Sequence, residues 1–232
     1  MKRPSILVLF FFLILPACVA AKNSSPEELF KKSFPDRKFE SITPTAIKGI
    51  YEVYTGNQLY YYAPEENFLI YGNIVTKEGI SLTRDSYMKK MSLKLAQLPL
   101  DSALKIGDGK KVIVEFLDPD CFYCRESYKF LSPRKDVTVY LFFYPLSPLS
   151  ERKIQYILCS SDRIKTYEEV MKGKLDNNAQ FDVCTDKKVE EIIKTHKKLA
   201  AQIGISSTPF FYLKGQAVGG FEAPVFEKLL KD

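Results

Sequence analysis

The second half of the chain alternates between near-continuous apolar segments and helical segments, and this pattern restricts the fold more than any other feature. Val112 to Leu117 and Val137 to Tyr144 are apolar at almost every position. Strands of this kind must be covered on both faces, and helices that join them are the usual cover. We therefore expect an α/β domain with a central sheet between layers of helices.

The remaining elements of this domain follow from the same pattern. A helix is expected from Cys121 to about Leu131, and helical sequence occupies most of residues 150–203. Two short strands are expected at Phe210 to Leu213 and at Ala217 to Gly220. A closing helix is expected from Val225 to Lys231.

Residues 22–82 predict a smaller α+β unit. Ser25 and Glu28 form a capping-box pattern at the start of a helix that should end near Phe34. Tyrosine and β-branched residues then predict a half-exposed antiparallel sheet. Its strands are expected, with a tight turn at Gly56-Asn57 between the first two, at Ile47 to Tyr54, Gln58 to Tyr62 and Phe68 to Val75.

A third helix is expected over residues 83–98. Tyr87, Met91, Leu95 and Leu98 share one face, and Pro99 should end the helix. Two interpretations remain open: a linker helix between domains, or the first helix of the second domain.

The N-terminus has the features of a secretory signal. Two basic residues precede an apolar run from Ile6 to Leu15, and small residues follow. This order predicts a signal peptide over residues 1–21. Ordinary signal peptidase would remove Cys18, whereas Leu15-Pro16-Ala17-Cys18 resembles a bacterial lipobox that would leave Cys18 acylated. The mature protein is expected to be soluble or lipid-anchored. Removal of residues 1–21 would leave four cysteines, and an even number in an exported chain predicts two disulfides.

The chemistry is expected at Cys121 and Cys124. Two cysteines three apart at the start of a helix lie near unpaired N–H groups and the positive end of the helix dipole, which stabilise a thiolate. The first thiolate can attack a disulfide and the second can resolve the mixed disulfide. A four-sulfur zinc site and an inert bridge are the alternatives.

Glu115 is the second candidate. It stands in an apolar strand six residues before Cys121, where an acid is costly unless it has a role. Such a group can accept the proton of the resolving cysteine. The alternative is a carboxylate that faces solvent at the sheet edge.

Composition and charge argue against other function classes. The net charge of +6 is spread along the chain without a long basic run, so a nucleic-acid-binding arm is not expected. The single histidine, His196, argues against a His-rich metal site. Its lysine-rich neighbours predict a position on the surface of a helix.

Two segments resemble a known family. Val112 to Arg125 reads Val-Ile-Val-Glu-Phe-Leu-Asp-Pro-Asp-Cys-Phe-Tyr-Cys-Arg and resembles the active-site segment of the thioredoxin superfamily, most of all that of the DsbC/DsbG family of exported disulfide isomerases. Ser206 to Leu213 resembles the family's second signature, a threonine before a cis-proline at the start of a strand. Val218 to Phe221 resembles the short strand and turn that follow, and the layout of residues 22–98 is similar to that of the family.

The resemblance implies an architecture and a site. A small α+β dimerisation domain (22–82) and a linker helix (83–100) precede a thioredoxin-like catalytic domain (101–232) with an inserted helical region. Cys121, Cys124 and Glu115 are the implied catalytic residues. The implied substrate-binding residues are Thr208, Pro209, Phe122 and Tyr123. Cys159 and Cys184 match the family's structural disulfide, with a second redox pair as the alternative.

The resemblance also implies a location and partners. It places the protein in the periplasm as a homodimer that corrects misoxidised exported proteins, with a membrane thiol reductase of the DsbD type as electron donor. No cofactor, metal or nucleic acid is implied. Two alternatives are kept: a dedicated reductase or oxidase with few clients, and a chaperone-type protein that binds unfolded exported chains.

Overall fold

An antiparallel sheet forms the first half of the molecule in the computed structural model, which describes residues 24–177 and 179–231. Helix α1 begins after Ser25 with the predicted capping box. The predicted tight turn at Gly56-Asn57 is confirmed between strands β2 and β3. The signal peptide and Cys18 lie outside the described residues. The elements of this half are α1 (Pro26–Ser33), β1 (Ser41–Pro44), β2 (Tyr51–Tyr54), β3 (Leu59–Ala63) and β4 (Phe68–Ile70), with sheet order β1-β2-β3-β4.

Two strand predictions in this half need correction, and one strand was not predicted. Strand β2 begins at Tyr51, because Ile47 and Ile50 form a turn that includes Gly49 at φ +81°. Strand β4 is shorter than predicted and ends at Ile70. Strand β1 was not predicted, and it holds Pro44 at an edge of the sheet, where a missing N–H group is tolerated.

The sheet is covered on both faces at its centre, so the half-exposed prediction is wrong for β2 and β3. Val53, Tyr60 and Tyr62 pack around Phe30 of α1 on one face. On the other face, Tyr61 and Tyr54 contact the next helix, as described below. Only the edge strand β4 leaves large apolar side chains in solvent.

A five-stranded sheet forms the second half, in the order β5-β7-β6-β8-β9. The two apolar segments form its parallel central pair, as the pattern predicted. Strand β5 was not predicted, and the predicted helical stretch is divided, among the described residues, into the separate helices given below. The elements are β5 (Leu104–Ile106), β6 (Lys111–Leu117), α3 (Phe122–Leu131), β7 (Val137–Phe143), α4 (Pro148–Cys159), α5 (Arg163–Met171), α6 (Lys187–Ile203), β8 (Phe210–Leu213), β9 (Gln216–Gly219) and α7 (Ala223–Leu230).

Helix α2, Leu82–Leu95, packs against both sheets. Its first half lies on the N-terminal sheet: Thr83 is hydrogen-bonded to Tyr61, and the ring of Tyr87 meets that of Tyr54 edge-on. In its second half, Met91 and Leu95 are buried in the cluster of apolar side chains on the second sheet. This position is compatible with both interpretations of the helix.

The predicted end of α2 at Pro99 is wrong. The helix ends at Leu95, and the N–H groups of Gln97 and Leu98 bond three residues back, to Lys94 and Leu95. A helix that continued to Pro99 would bring the proline ring against the carbonyl of Leu95, and Leu98, directly before the proline, is pushed away from the α conformation. Across the described ranges, no helix is long and apolar enough to cross a membrane.

His196 lies on α6, but it is buried, which corrects the surface prediction. Its Nδ1 accepts a hydrogen bond of 3.0 Å from the N–H group of Phe143, and its Nε2 lies 2.7 Å from the carbonyl oxygen of Ser102. Burial lowers the pKa of His196, so the ring is held neutral. The lysines beside His196 in sequence are exposed on other faces of α6, so the local charge pattern did not indicate that His196 is buried.

Candidate active site

The segment between β6 and α3 places the two cysteines at the carboxyl end of the sheet. Asp118, which is buried, fastens this segment: its carboxylate accepts hydrogen bonds from the N–H groups of Asp120 (2.7 Å) and Leu146 (2.5 Å). Cys121 is then the N-cap of α3. The site is thus held by a sharp loop between a strand and a helix.

The two thiols have opposite environments. Cys121 is partly exposed and Cys124 is fully buried, and neither is in a disulfide. A hydrogen bond from Cys124 lowers the pKa of Cys121 to about 5, and N–H groups at the start of α3 act in the same direction against burial. Burial raises the pKa of Cys124 far above the ordinary value of a thiol. Cys121 is therefore the thiol that ionises more readily, and Cys124 the one that keeps its proton.

Glu115 lies in the interior behind Cys124 and does not face solvent. It is 2% exposed, on β6 between Leu141 of β7 and Phe211 of β8. The Ser127 hydroxyl lies 2.6 Å from Glu115 Oε1 and 2.8 Å from the carbonyl oxygen of Cys124. Burial raises the pKa of Glu115 to about 8, although the bond from Ser127 opposes this. The carboxyl can therefore exchange a proton near neutral pH.

The loop before β8 forms the other wall of the site. The Thr208–Pro209 peptide bond is cis. The carbonyl oxygen of Thr208 lies 3.3 Å from Cys121 Sγ, and Thr208 Oγ1 is a buried polar atom with no hydrogen-bond partner in the described structure. On the outer side, Phe122 and Tyr123 are 66% and 57% exposed. An extended chain bound beside Cys121 would meet both the backbone of Thr208 and apolar rings.

Cys159 and Cys184 form a disulfide with a Cα–Cα distance of 5.8 Å. It joins the end of α4 to the segment before α6 and closes the loop that contains α5. Closing a loop of 25 residues stabilises a fold by roughly 3–4 kcal/mol in the chain-entropy model.

These two thiols are therefore not free to ligate a metal together with Cys121 and Cys124. Within residues 24–177 and 179–231, no group of three His, Cys, Asp or Glu side chains is placed to hold a metal ion. The four-sulfur zinc site that the sequence left open is therefore wrong.

A charge network flanks the two cysteines, and the sequence did not predict it. Lys153 of α4 is 3% exposed and contacts Asp120 at 2.5 Å and Asp176 at 3.0 Å. Asp176 also pairs with Arg125, whose Nε donates 2.8 Å to the carbonyl oxygen of Pro119. We call these four side chains (Asp120, Arg125, Lys153 and Asp176) the charge network. The one signal in the sequence is that Lys153 lies four residues before Ile157, on the apolar face of α4.

Comparison with known proteins also indicates thiol–disulfide exchange, the chemistry that the two free cysteines allow. A family profile described as the N-terminal domain of disulfide bond isomerase proteins matches residues 18–84, and a thioredoxin-like domain profile matches residues 99–232. A DsbC thiol:disulfide interchange protein of Bordetella pertussis is 32% identical over 214 residues, which cover 87% of this chain and 73% of that protein. The DsbC protein of Escherichia coli K12 is 26% identical over 196 residues, covering 81% of this chain and 78% of that protein.

Solved structures show the same fold. A linker-deletion variant of ScsC from Proteus mirabilis matches with a TM-score of 0.53 at 17% identity, over 63% of this chain and 83% of that one. The thioredoxin-like profile covers more than half of the chain, and the Bordetella relative aligns along most of both sequences. The chain therefore belongs to the DsbC family of thiol:disulfide interchange proteins.

Proposed function

We propose that this protein is a periplasmic disulfide isomerase in which Cys121 attacks wrong disulfides in exported proteins. The observation that carries the proposal is the pairing of a partly exposed thiol, whose pKa is lowered to about 5, with a buried thiol whose pKa is raised. At neutral pH the first is a thiolate ready to attack and the second is a thiol held in reserve.

The reaction begins when Cys121 S⁻ attacks one sulfur of a client disulfide. A mixed disulfide forms, and the other client sulfur leaves as a thiolate. If a different client thiolate attacks the client sulfur of the mixed disulfide, Cys121 is released unchanged and the client has been isomerised. If Cys124 attacks the Cys121 sulfur instead, the client leaves reduced and a Cys121–Cys124 disulfide forms. Glu115 accepts the proton that Cys124 must lose before this second step.

Client binding is assigned to the two walls of the site. The backbone of Thr208, beside Pro209, pairs with an extended client chain, as in strand addition. Phe122 and Tyr123 contact its apolar side chains, and the unpartnered Thr208 hydroxyl is available to a polar group of the client.

A second copy of the chain is expected at β4. This strand is an edge of the N-terminal sheet, and Phe68, Ile70 and Tyr71 are 64%, 43% and 62% exposed there. An open edge beside an apolar surface is a site for strand pairing. Pairing through residues 22–82 would place two Cys121 sites across one cleft, where an unfolded client is held during reshuffling.

The oxidised Cys121–Cys124 pair must be reduced before the next cycle, so a thiol donor is needed. We assign this to a membrane thiol reductase of the DsbD type. Cys18, in the signal region, is either removed or acylated, and mass spectrometry of the mature N-terminus distinguishes the two.

Refolding of a scrambled disulfide protein tests the proposal. The wild-type chain should restore native activity, and Cys121→Ser should abolish this. Cys124→Ser should keep isomerisation but lose net reduction. A Cys121→Ser variant that still restores activity would favour the chaperone alternative. A Cys121–Cys124 pair that is mostly oxidised in the intact cell envelope would favour an oxidase.

A further inference from the structure

A cavity of about 250 Å³ lies between α3, α5 and the second sheet, and Glu115 lines it. Its walls are otherwise mostly apolar or aromatic: Ile106, Tyr128, Leu131, Val139, Leu141 and Tyr167. A water molecule occupies about 30 Å³ in the liquid, so the space is large enough for several. The buried carboxyl is a polar group that water in this cavity could contact.

The cavity reaches the surface far from the two cysteines. Its mouth is lined by Ser132, Arg134 and Lys135, which follow the end of α3, and by Asp108, which follows β5. Cys121 and Cys124 are at the beginning of α3. The helix has 10 residues, so about 15 Å along its axis separate the mouth from the cysteines.

The reaction creates a need for such an opening. Cys124 is fully buried and must lose a proton while a client chain covers the carboxyl end of the sheet. Glu115 can take that proton only in its ionised form, so it must have released its previous proton to solvent. The client blocks release on the cysteine side.

We propose that this cavity is a water-filled path through which Glu115 exchanges its proton with solvent, at the end of α3 that the client does not cover. The proposal rests on the role of Glu115 as proton acceptor. In each reductive cycle the Cys124 thiol gives its proton to the Glu115 carboxylate, and Cys124 S⁻ attacks Cys121 Sγ. The bond from Cys121 to the client sulfur breaks, the client leaves as a thiolate, and Glu115 passes the proton to water in the cavity.

The other titratable groups around Glu115 are compatible with this path. Cys121 and Cys124 face it from the start of α3, and Tyr128 and Tyr167 face it from the cavity wall. Burial raises the pKa of Tyr167 well above its ordinary value, so this phenol stays neutral and does not compete for the proton. At the mouth, two acids and two bases balance each other: Asp108, Glu168, Arg134 and Lys135.

Substitutions that fill the cavity with a larger side chain test the proposal. Ile106 and Leu104 lie on the same side of β5 and pack against the same core, but only Ile106 lines the cavity. Ile106→Trp should slow Cys124-dependent release of a thiol peptide from the Cys121 mixed disulfide by at least about tenfold at pH 7, because proton transfer to a positioned base contributes at least that much. The rate of mixed-disulfide formation should be unchanged. Leu104→Trp should release the peptide within about twofold of the wild-type rate, since it leaves the proton path open.

A second plug and a Glu115 variant make each outcome decisive. Ser132→Trp, at an exposed position of the mouth, should also slow release, and it answers the question if Ile106→Trp does not fold. If Glu115→Gln slows release but neither plug does, the path is wrong and the acceptor role stands. If Glu115→Gln releases the peptide at the wild-type rate, the acceptor role itself is wrong.

Discussion

At the scale of single residues, Cys121 and Cys124 lie only three positions apart, but their pKa values are shifted in opposite directions. Cys121 caps α3 and receives hydrogen bonds, whereas Cys124 is turned into the core. The largest cause of the lowered pKa of Cys121 is the hydrogen bond from Cys124 itself. The resolving thiol therefore also activates the nucleophile.

This leads to a test that separates hydrogen bonding from helix position. In Cys124→Ser, a hydroxyl donor remains and Cys121 should titrate with a pKa near 5. In Cys124→Ala, the donor is lost and the pKa of Cys121 should rise, because the start of α3 alone stabilises the thiolate less. Thiolate absorbance at 240 nm against pH measures both. Equal pKa values in the two variants would contradict the assigned cause.

Glu115 predicts a pH dependence of stability. Its pKa is raised to about 8 in the folded chain from 4.5, so the folded state holds the proton more tightly than the unfolded state. The stability from this neutral carboxyl is fully present below pH 4.5 and is lost as the pH rises through 8. Relative to the wild type, Glu115→Gln should therefore gain on the order of 3 kcal/mol in unfolding free energy between pH 4 and pH 7. Urea unfolding at the two pH values measures the gain, and a constant difference would contradict a neutral, buried Glu115.

At the scale of elements, the charge network joins the inserted helices to the active-site loop. Lys153 comes from α4, Asp176 from the segment after α5, and Asp120 and Arg125 flank the two cysteines. Asp176 lies within the loop that the Cys159–Cys184 disulfide closes. The insertion is therefore tied to the loop that holds Cys121.

The buried lysine should matter far more than an exposed one. Lys153→Met would remove the buried cation that Asp120 and Asp176 share and leave them with Arg125 alone, which should cost about 1.5–3 kcal/mol, the range for hydrogen bonds to charged groups. Lys197→Met, which breaks a more exposed pair with Glu151, should cost less than about 1 kcal/mol. Denaturant unfolding measures both. Similar losses in the two variants would show that the charge network is not specially stabilising.

Elements that depend on local sequence were predicted well, and contacts between distant segments were not. The order of β6, Cys121 and α3 followed from an apolar strand, a turn sequence and a helix pattern. His196 and Lys153 were missed because their partners lie on other elements, and local charge gave no sign of burial. Glu115 was recognised because an acid in an apolar strand is unusual, although its cavity was not foreseen.

At the scale of the whole molecule, isomerisation is expected to need two copies joined through β4. Phe68→Glu combined with Tyr71→Glu should give a monomer, because two charges would stand on the proposed interface. The monomer should keep reductase activity toward a small disulfide and lose isomerisation of a scrambled protein. Ile164→Glu, an exposed apolar position on α5, is the matched control and should remain dimeric. Light scattering and the two activity assays give the result; a monomer that isomerises at the wild-type rate would contradict the need for two copies.

A deletion that removes the N-terminal unit must leave α2 in the chain. A chain that begins near Leu100 would lose Met91 and Leu95 and expose Val114 and Phe116 to water. A chain that begins at Ser81, the N-cap of α2, keeps this cover. Only the second deletion can separate the effect of dimerisation from damage to the catalytic core.

The shared position of α2 has a consequence for how the chain melts. Its first half completes the packing of one sheet and its second half that of the other, so neither sheet can lose the helix without exposing apolar surface. Two units that only share a flexible tether would give two heat-absorption peaks in a calorimeter. Here we expect a single cooperative peak whose calorimetric and van't Hoff enthalpies agree. Met91→Ala should then lower the melting temperature of both sheets together, whereas two separated peaks would show that α2 belongs to one sheet alone.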